Sequence, residues 1–545
     1  MSISYVHGTS TTPLLSQTIG ANLAATASLF GDREAIVSVH QGVRMTYREF
    51  DDAVNTLARA LIAEDFVKGN RIGIWSPNRF EWALVQYATA KIGVILVNIN
   101  PAYRTSELRY VLNQSGCSAL FATDQYRTSN YRAMVQEVAP DAPLLRKSYY
   151  FDDSSYTDLL DKATQVPEHV LDSVMAGLDF DDPINIQYTS GTTGFPKGAT
   201  LSHHNILNNG YFVGETCGYT EVDRVCIPVP YYHCFGMVMG NLACTSHGST
   251  MILPSFTFDP GATLSSVETE RATSLYGVPT MFIAELAEPN FDHFDLSSLR
   301  TGIMAGSPCP VEVMKQVWAR MNMNEVTICY GMTETSPVSI QTRVDDTLEK
   351  RVSTVGRVLP HLEVKIIDAN GHAVERGIPG ELLTRGYSVM LGYWNNPEKT
   401  HEAIDEARWM HTGDLAIMDE DGFVNVVGRA KDLIIRGGEN IYPREIEEFL
   451  YTHPGIRDVS VIGMPSELYG EEVMAWIISK AGVDLTQADI DTYCDGKIAR
   501  YKVPTYCKFV DEFPMTITGK VQKYIMRQKS IEELDLAQAA SITTA

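Results

Sequence analysis

The chain has 545 residues, 44 % hydrophobic and 20 % charged, which is too long for a single hydrophobic core and carries no signature of disorder. Its formal charge of −23 excludes a surface field that draws nucleic acid or anionic membrane, so any anionic ligand must be held by local basic groups. Nine singly placed cysteines with no CxxC pair exclude a disulfide framework and a zinc site, and they point to a reducing compartment.

The N-terminal "MSISYVHGTSTTPLLSQTIG" lacks the basic and apolar regions of a signal peptide. No apolar run approaches the roughly 20 residues that span a bilayer. The expectation is a soluble, cytoplasmic protein with no transmembrane segment and no nucleic-acid partner. Thr46 followed by Glu49 predicts a helix N-cap, with apolar residues at helical spacing through "TYREFDDAVNTLARALIA". "RIGIWS" then reads as a strand, "RFEWALVQYATAKIG" as a helix ending near Gly93, and "VILVNIN" as a buried strand. The alternation recurs in "TEVDRVCIPVP", "GSTMILP", "ATSLYGVPTMFIAELA" and "LRTGIMAG". It predicts an α/β fold with two doubly wound parallel layers.

After about Arg351 the texture changes to short alternating strands and turn signals, which predicts a small β-rich, barrel-like piece. "GRAKDLIIRGGENIYPREIEEFLYTHP" then opens an α+β unit, with a helix after Pro443 and a frayed tail at "DLAQAASITTA". The division expected is 1–430 and 431–545.

One stretch, "IQYTSGTTGFPKGAT" (Ile186 to Thr200), is suited to phosphate. Its glycines allow close backbone approach, its hydroxyls donate, and Lys197 adds a point charge. It is not a Walker A motif, because Pro196 precedes the lysine and Gly198 follows it. No G-x-G-x-x-G follows an early strand, so a nicotinamide site is a weak reading. On composition alone, linker and phosphate loop stay open.

The full string "YTSGTTGFPKGA" resembles the signature loop of the adenylate-forming superfamily of acyl- and aryl-CoA synthetases, peptide-synthetase adenylation domains and luciferases. "YYHCFGM" (Tyr231 to Met237) resembles its aromatic-His motif, and "CYGMTETSP" (Cys329 to Pro337) its Y-G-x-T-E motif. "WMHTGDLA" (Trp409 to Ala416) matches the T-G-D motif, and "GRAKDLIIRGGENIYPREIE" (Gly428 to Glu447) the hinge and glycine turn. "PMTITGKVQK" (Pro514 to Lys523) resembles the C-terminal lysine motif, and all of these stand in family order. Within the superfamily the chain is most similar to medium- and long-chain fatty acyl-CoA synthetases of the acyl-CoA synthetase family member 2 type.

The resemblance implies a large N-terminal domain, a mobile C-terminal domain and ATP, Mg²⁺ and coenzyme A as cofactor and co-substrates. A carboxylate attacks the α-phosphate of ATP, pyrophosphate leaves, and a thiol then displaces AMP from the acyl-adenylate. It assigns Thr189, Ser190, Gly191, Thr192, Thr193, Gly194 and Lys197 to the β- and γ-phosphates. Glu334, with Thr189, is assigned to Mg²⁺, Thr333 to the α-phosphate, and Asp414 with Arg429 to the ribose. Gly306, Ser307, Pro308, Tyr330 and Gly331 fall to the adenine side. Lys520 is assigned to catalysis and Lys431 to the hinge. Arg436, Gly437, Gly438 and Glu439 would line the coenzyme A channel. His233, Phe235, Gly236, Met237, Gly277, Val278, Pro279, Met304 and Met332 would wall an apolar acyl pocket without a cation for a second carboxylate. Homodimers are common among the relatives, while the oligomeric state is not readable from this sequence.

Residue by residue, blander readings stand beside these. Glu334 alone reads as a first-turn carboxylate, Asp414 as a turn residue, Lys520 as a solvated lysine, and His233 as a satisfied half-buried histidine. The cations Lys497, Arg500, Lys502, Lys508, Lys520, Lys523, Arg527 and Lys529 form either a receptor for the coenzyme's 3′-phosphate or an ordinary solvated face. The rival activities are ligation of a short branched, methylthio-substituted or aryl acid, and loading of a carrier protein.

Overall fold

Thr46 starts the first long helix as its sequence predicts. Its hydroxyl accepts from the Glu49 amide at 3.3 Å while the Glu49 carboxylate accepts from the Thr46 amide at 2.8 Å, a reciprocal cap. The helix runs Tyr47–Ala63 and buries Tyr47, Phe50, Val54, Leu57 and Leu61 on one face. The helix Phe80–Lys91 is apolar nearly all round, and every residue but Phe80 is buried. It touches strands of both large sheets, which explains why its sequence has no polar face. The computed structural model describes residues 2–189, 196–307, 309–436, 439–466, 468–516 and 520–536, together with the backbone but not the side chain of Ala430.

Two large sheets carry the N-terminal unit. The first has seven strands, of which Pro183–Thr189, Ile95–Asn98, Arg71–Trp75, Ala119–Ala122 and Lys147–Tyr150 run parallel. Lys197–Ser202 and Gly392–Tyr393 complete it antiparallel at one edge. The second has nine strands with six in parallel, Glu34–Ser38, Thr250–Leu253, Arg224–Cys226, Ser274–Gly277, Thr301–Ala305 and Glu325–Gly331. The alternation read from the sequence is therefore two doubly wound layers.

The β-rich piece is a five-stranded antiparallel sheet, ordered Tyr5–His7, Leu362–Ile367, Gly380–Gly386, Met410–Met418 and Val424–Arg429. Its edge strand comes from the chain's N-terminus, with Tyr5 opposite Lys365. A pairing across so much sequence leaves no local period, so the first residues read as featureless.

The C-terminal unit has its own five-stranded sheet, with Gly470–Ser479 at its centre and Ile456–Ser466 as its long antiparallel neighbour at one edge. Two hydrophobic clusters, one around Ile434, Leu450 and Ile477, the other around Met464, Trp476 and Met526, are built only from this part of the chain. Residues 537–545, most of the tail expected to fray, lie outside the described residues. No helix among the described residues is long and apolar enough to cross a membrane.

Candidate active site

In doubly wound sheets the strands' carboxyl ends open into a crevice. Thr189, Gly277, Ala305 and Gly331 each end a parallel strand there, and Val278, Pro279, Gly306, Ser307, Met332, Thr333 and Glu334 follow directly from them. Thr189 pairs with Lys197 across an antiparallel hairpin, which fixes both ends of the intervening loop. Ser190, Gly191, Thr192, Thr193 and Gly194, expected on the phosphates, lie outside the described residues, as does Pro308. Gly306 has φ +91° just past its strand, with Ser307 beside it.

The turn after Gly331 holds Thr333 and Glu334, which are 8 % and 5 % exposed. A Cβ on Gly331 would sit 1.8 Å from the Pro337 carbonyl oxygen, so only glycine lets this turn fold back on itself. Met332 opens the turn, its amide donating to Thr335 Oγ1 at 3.1 Å. The Glu334 carbonyl accepts from the Met390 amide at 2.9 Å. Its carboxylate Oε1 accepts two hydroxyls, Thr189 at 3.2 Å and Tyr393 at 2.9 Å. The Tyr393 hydroxyl also lies 3.2 Å from Lys197 Nζ, which stands 4.3 Å from the ring centroid. Thr189, Lys197, Glu334 and Tyr393 thus form one connected set of oxygens and one cation.

Asp414 and Arg429 face each other across the strands Met410–Met418 and Val424–Arg429, with Nε to Oδ1 at 3.2 Å. The second carboxylate oxygen accepts from Tyr330 Oη at 2.6 Å. Burial and the charge of Asp414 push the Tyr330 phenol well above its ordinary value, so it stays a donor. Gly413 sits at φ +68°, the left-handed geometry that turns Asp414 into position.

Lys520 arrives from the C-terminal unit. That unit docks through Arg444, whose guanidinium donates to the Val426 carbonyl at 2.9 Å, and through Glu448, which accepts from the Val311 amide at 3.5 Å. The Lys520 amide donates to Thr516 Oγ1 at 2.9 Å, and the Thr516 amide to the Lys520 carbonyl at 2.7 Å. Burial and the nearby Arg429 hold the Lys520 ammonium below its usual range, against the opposing pull of Cys234, Glu334 and Asp414. Residues from both units therefore share one electrostatic site. His233 is pushed down to about 3 by burial and by Lys520, so it is neutral at ordinary pH. Its Nδ1 accepts from the Phe235 amide at 3.1 Å, leaving the ring proton on Nε2. Burial raises the Cys234 thiol to about 12, and its sulfur lies 3.7 Å from Thr333 Oγ1.

Of the residues expected to wall the acyl pocket, Gly277, Val278 and Pro279 lead into the helix Pro279–Leu286, and Phe235 and Gly236 start a π-helical turn, Phe235–Leu242. Met304 is fully buried on its strand. Met237 turns its thioether to the amides of Asn98 and Gln187, at 3.1 and 3.3 Å. A groove of about 360 Å³ is lined by Tyr232, Val278, Met281, Phe256, Phe258, Tyr126 and Arg127, with Met515 and Thr516 of the C-terminal unit in its wall. Lys431 lies in the turn Ala430–Asp432 that joins the units. Arg436 is engaged inside its own unit, bidentate with Glu472 at 2.6 and 3.2 Å, and pairs in register with exposed Glu439. Gly437 and Gly438 lie outside the described residues.

Two elements were not read from the sequence. Tyr393 bridges Lys197 and Glu334, but "LGYW" signals only an aromatic after a turn. A ladder of buried amides, Gln187 to Asn185 to Asn98, each at 2.9 Å, ends on the Tyr232 carbonyl at 2.8 Å and holds the His233 loop. Polar residues inside strands were its only trace.

The AMP-binding enzyme family matches residues 23–394, and the AMP-binding enzyme C-terminal domain matches residues 445–520. A putative acyl-CoA synthetase, YngI of Bacillus subtilis (strain 168), is 48 % identical over 96 % of this chain and 99 % of its own. The mitochondrial medium-chain acyl-CoA ligase ACSF2 of Danio rerio is 45 % identical over 98 % of this chain and 92 % of its own. The ATP-bound crystal structure of MatB from Rhodopseudomonas palustris superposes with a TM-score of 0.84 at 28 % identity, covering 95 % of this chain and all of that one.

Proposed function

Because the chain belongs to the AMP-binding enzyme family, we propose that it is an ATP-dependent fatty acyl-CoA ligase acting on medium- to long-chain acids. The fatty carboxylate attacks the α-phosphorus of ATP, pyrophosphate leaves, and an acyl-adenylate forms. The thiol of coenzyme A then attacks the acyl carbon and AMP departs. The observation that carries this reading is the joined set of Thr189, Lys197, Glu334 and Tyr393, beside Asp414 held by Tyr330 and Arg429, with the C-terminal unit docked through Arg444.

In the first step Lys520 offsets charge on the carboxylate and α-phosphate oxygens as they approach. This is stabilisation by a group already in place, which needs no reorganisation. Thr333 donates to the α-phosphate, and Lys197 with the loop after Thr189 holds the phosphates that leave. Asp414, fixed by Tyr330 and Arg429, accepts from the ribose hydroxyls. Neutral His233 orients but does not exchange a proton, since burial keeps its ring unprotonated.

A hard cation fits beside Glu334. Its carboxylate and two hydroxyls are oxygen donors, and among the described residues no group of three or more His, Cys, Asp or Glu could cage a metal without the substrate's phosphates. Mg²⁺ there would neutralise phosphate charge. Residues 1–430 form the adenylating unit, and 431–545 the unit that turns about Lys431 between the two steps. The nine free cysteines, all buried but Cys507, suit a reducing compartment such as the cytoplasm.

The test is pyrophosphate release with a panel of acids from butyrate to palmitate plus aromatic acids, each with and without coenzyme A. Turnover confined to aromatic acids refutes the fatty-acid reading, and indifference to coenzyme A refutes the ligase.

A further inference from the structure

The strand pair that carries Asp414 is interrupted where that residue stands. Gly380 faces Ala416 and Glu381 faces Leu415, yet the next paired positions are Leu383 and His411. Thr412, Gly413 and Asp414 on one strand are therefore opposed by Leu382 alone on the other. Such a bulge bends its strand and re-aims the side chains it carries, and this one turns at Gly413, φ +68°.

Two side chains span the bulge. The Thr412 hydroxyl donates to the Leu382 carbonyl at 2.6 Å and accepts from the Asp414 amide at 3.1 Å. Glu381 reaches across from the opposite strand. One of its carboxylate oxygens accepts from the Gly413 amide at 3.2 Å, and the other lies 3.1 Å from His411 Nδ1. A single carboxylate thus grips the start of the bulge and its turn, and fixes the spacing between them. Glu381 is itself firmly placed. Its strand, Gly380–Gly386, is the central one of the five-stranded sheet, and Leu383 on that strand packs in a buried cluster with Ile367 and Trp409.

Read as an ion pair, Glu381 and His411 contribute little to stability, because their side chains are 29 % and 33 % exposed. What the carboxylate supplies is position. A bulge takes amides out of the strand ladder, and a charged acceptor satisfies one of them in a fixed place. Tyr330 and Arg429 hold the Asp414 carboxylate at 2.6 and 3.2 Å, while Glu381 holds the backbone that presents it. The side chain and its support are anchored from different strands.

We propose that Glu381 is a positioning residue for nucleotide recognition: through the Gly413 amide it sets Asp414 where its carboxylate accepts from the ribose hydroxyls. The inference rests on the reading of Asp414 as the ribose acceptor. Glu381 acts on the nucleotide only through Gly413 and Asp414, so its removal weakens the contacts to the sugar and leaves those to the phosphates.

The experiment compares kcat/KM of pyrophosphate release for ATP and for 2′,3′-dideoxy-ATP, which lacks both hydroxyls, in the wild type, Glu381→Ala and Glu381→Gln. The ratio of the two nucleotides is a property of the folded fraction alone, so partial loss of folding does not alter it. Glu381→Ala should cut the preference for ATP about tenfold, the scale of one hydrogen bond to a charged group, through a raised KM for ATP and with little change for the dideoxy nucleotide. Glu381→Gln keeps an oxygen to accept from the Gly413 amide and should restore most of the preference. A wild-type ratio in Glu381→Ala, or equal losses on both nucleotides, overturns the proposal and leaves the ribose reading of Asp414 intact, as does a Glu381→Gln enzyme no better than Glu381→Ala. A wild type that does not distinguish the two nucleotides overturns the ribose reading itself.

Discussion

Replacing Lys520 tests the site most directly, because it separates the two half-reactions. In a partly exposed site with an effective dielectric near 20, unit charges about 4 Å apart interact by about 4 kcal/mol. Loss of one preorganised donor typically costs about 2.7–4 kcal/mol, or roughly a hundred- to thousandfold in rate. Lys520→Ala should therefore slow acyl-adenylate formation by that factor. Thioester formation from supplied acyl-adenylate should fall by less than about tenfold, because no phosphorus is then attacked. The pH profile adds an independent reading. Burial and Arg429 depress the Lys520 pKa from 10.5, so the cation is lost as pH rises through a value below the ordinary lysine range. The kcat/KM of adenylation in the wild type should fall on the alkaline side earlier than a free lysine would dictate. Lys520→Arg, charged throughout, should lose that alkaline limb even if misplacement lowers its rate. Asp414→Asn removes a charge that supports the ammonium and should move the limb lower still. Stopped-time pyrophosphate release measures the first step, and thioester formation from synthetic acyl-adenylate the second. Equal losses in both steps, or an alkaline limb that survives in Lys520→Arg, refutes the assignment.

Tyr393→Phe keeps the ring under Lys197 but removes the hydroxyl shared with Glu334. One such bond to a charged group is worth about 1.5–3 kcal/mol at most. The Mg²⁺ concentration giving half-maximal adenylation should rise, and a titration that superposes on the wild type excludes the bridge. Lys431→Pro fixes φ within the turn Ala430–Asp432 and should slow thioester formation more than adenylation; an equal effect on both denies the hinge. Glu285 is a different case, fully buried with both carboxylate oxygens unpartnered among the described residues, and burial alone holds its pKa well above 4.5. The folded state keeps the proton that the unfolded chain releases above about pH 4.5, so wild-type stability falls as pH rises from there toward the folded value. Glu285→Gln should stabilise the protein by about 1–3 kcal/mol near neutrality, with a smaller gain near pH 5, read by thermal melts. A gain independent of pH would show that Glu285 is not held protonated.

What the sequence revealed and what it hid divide along a physical line. The capped helix after Thr46 and the strand–helix alternation are local patterns, set by neighbours within a few residues, and the structure contains them where their periods place them. Asp414 and Glu334 were singled out through the family motifs that contain them, and each has a nearby glycine, Gly413 at a left-handed φ and Gly331 where a Cβ would meet the Pro337 carbonyl. Tyr393, the amide ladder and the N-terminal strand were not legible, since each is defined by a partner far along the chain. Tyr393 meets Glu334 across 59 positions, and Asn98 meets the Tyr232 carbonyl across 134. That division bears on the chemistry. The groups proposed for the phosphates, Thr189, Lys197, Thr333 and Glu334, stand at or next to strand ends set by local motifs. The groups around the acyl and thiol paths are tied together by long-range contacts, where one methylene is worth only about 1–3 kcal/mol of discrimination. Substrate choice within this fold should thus be changed by altering the distributed contacts around Tyr232 and Val278 without touching Lys520. A Tyr232→Ala enzyme, losing the ring but not the backbone carbonyl that Asn98 holds, should change its ranking of acids while its pyrophosphate-forming step keeps the same dependence on Lys520 and on alkaline pH. A ranking unchanged by that substitution, with adenylation impaired equally for every acid, would place Tyr232 in the scaffold of the His233 loop and not on the acyl path.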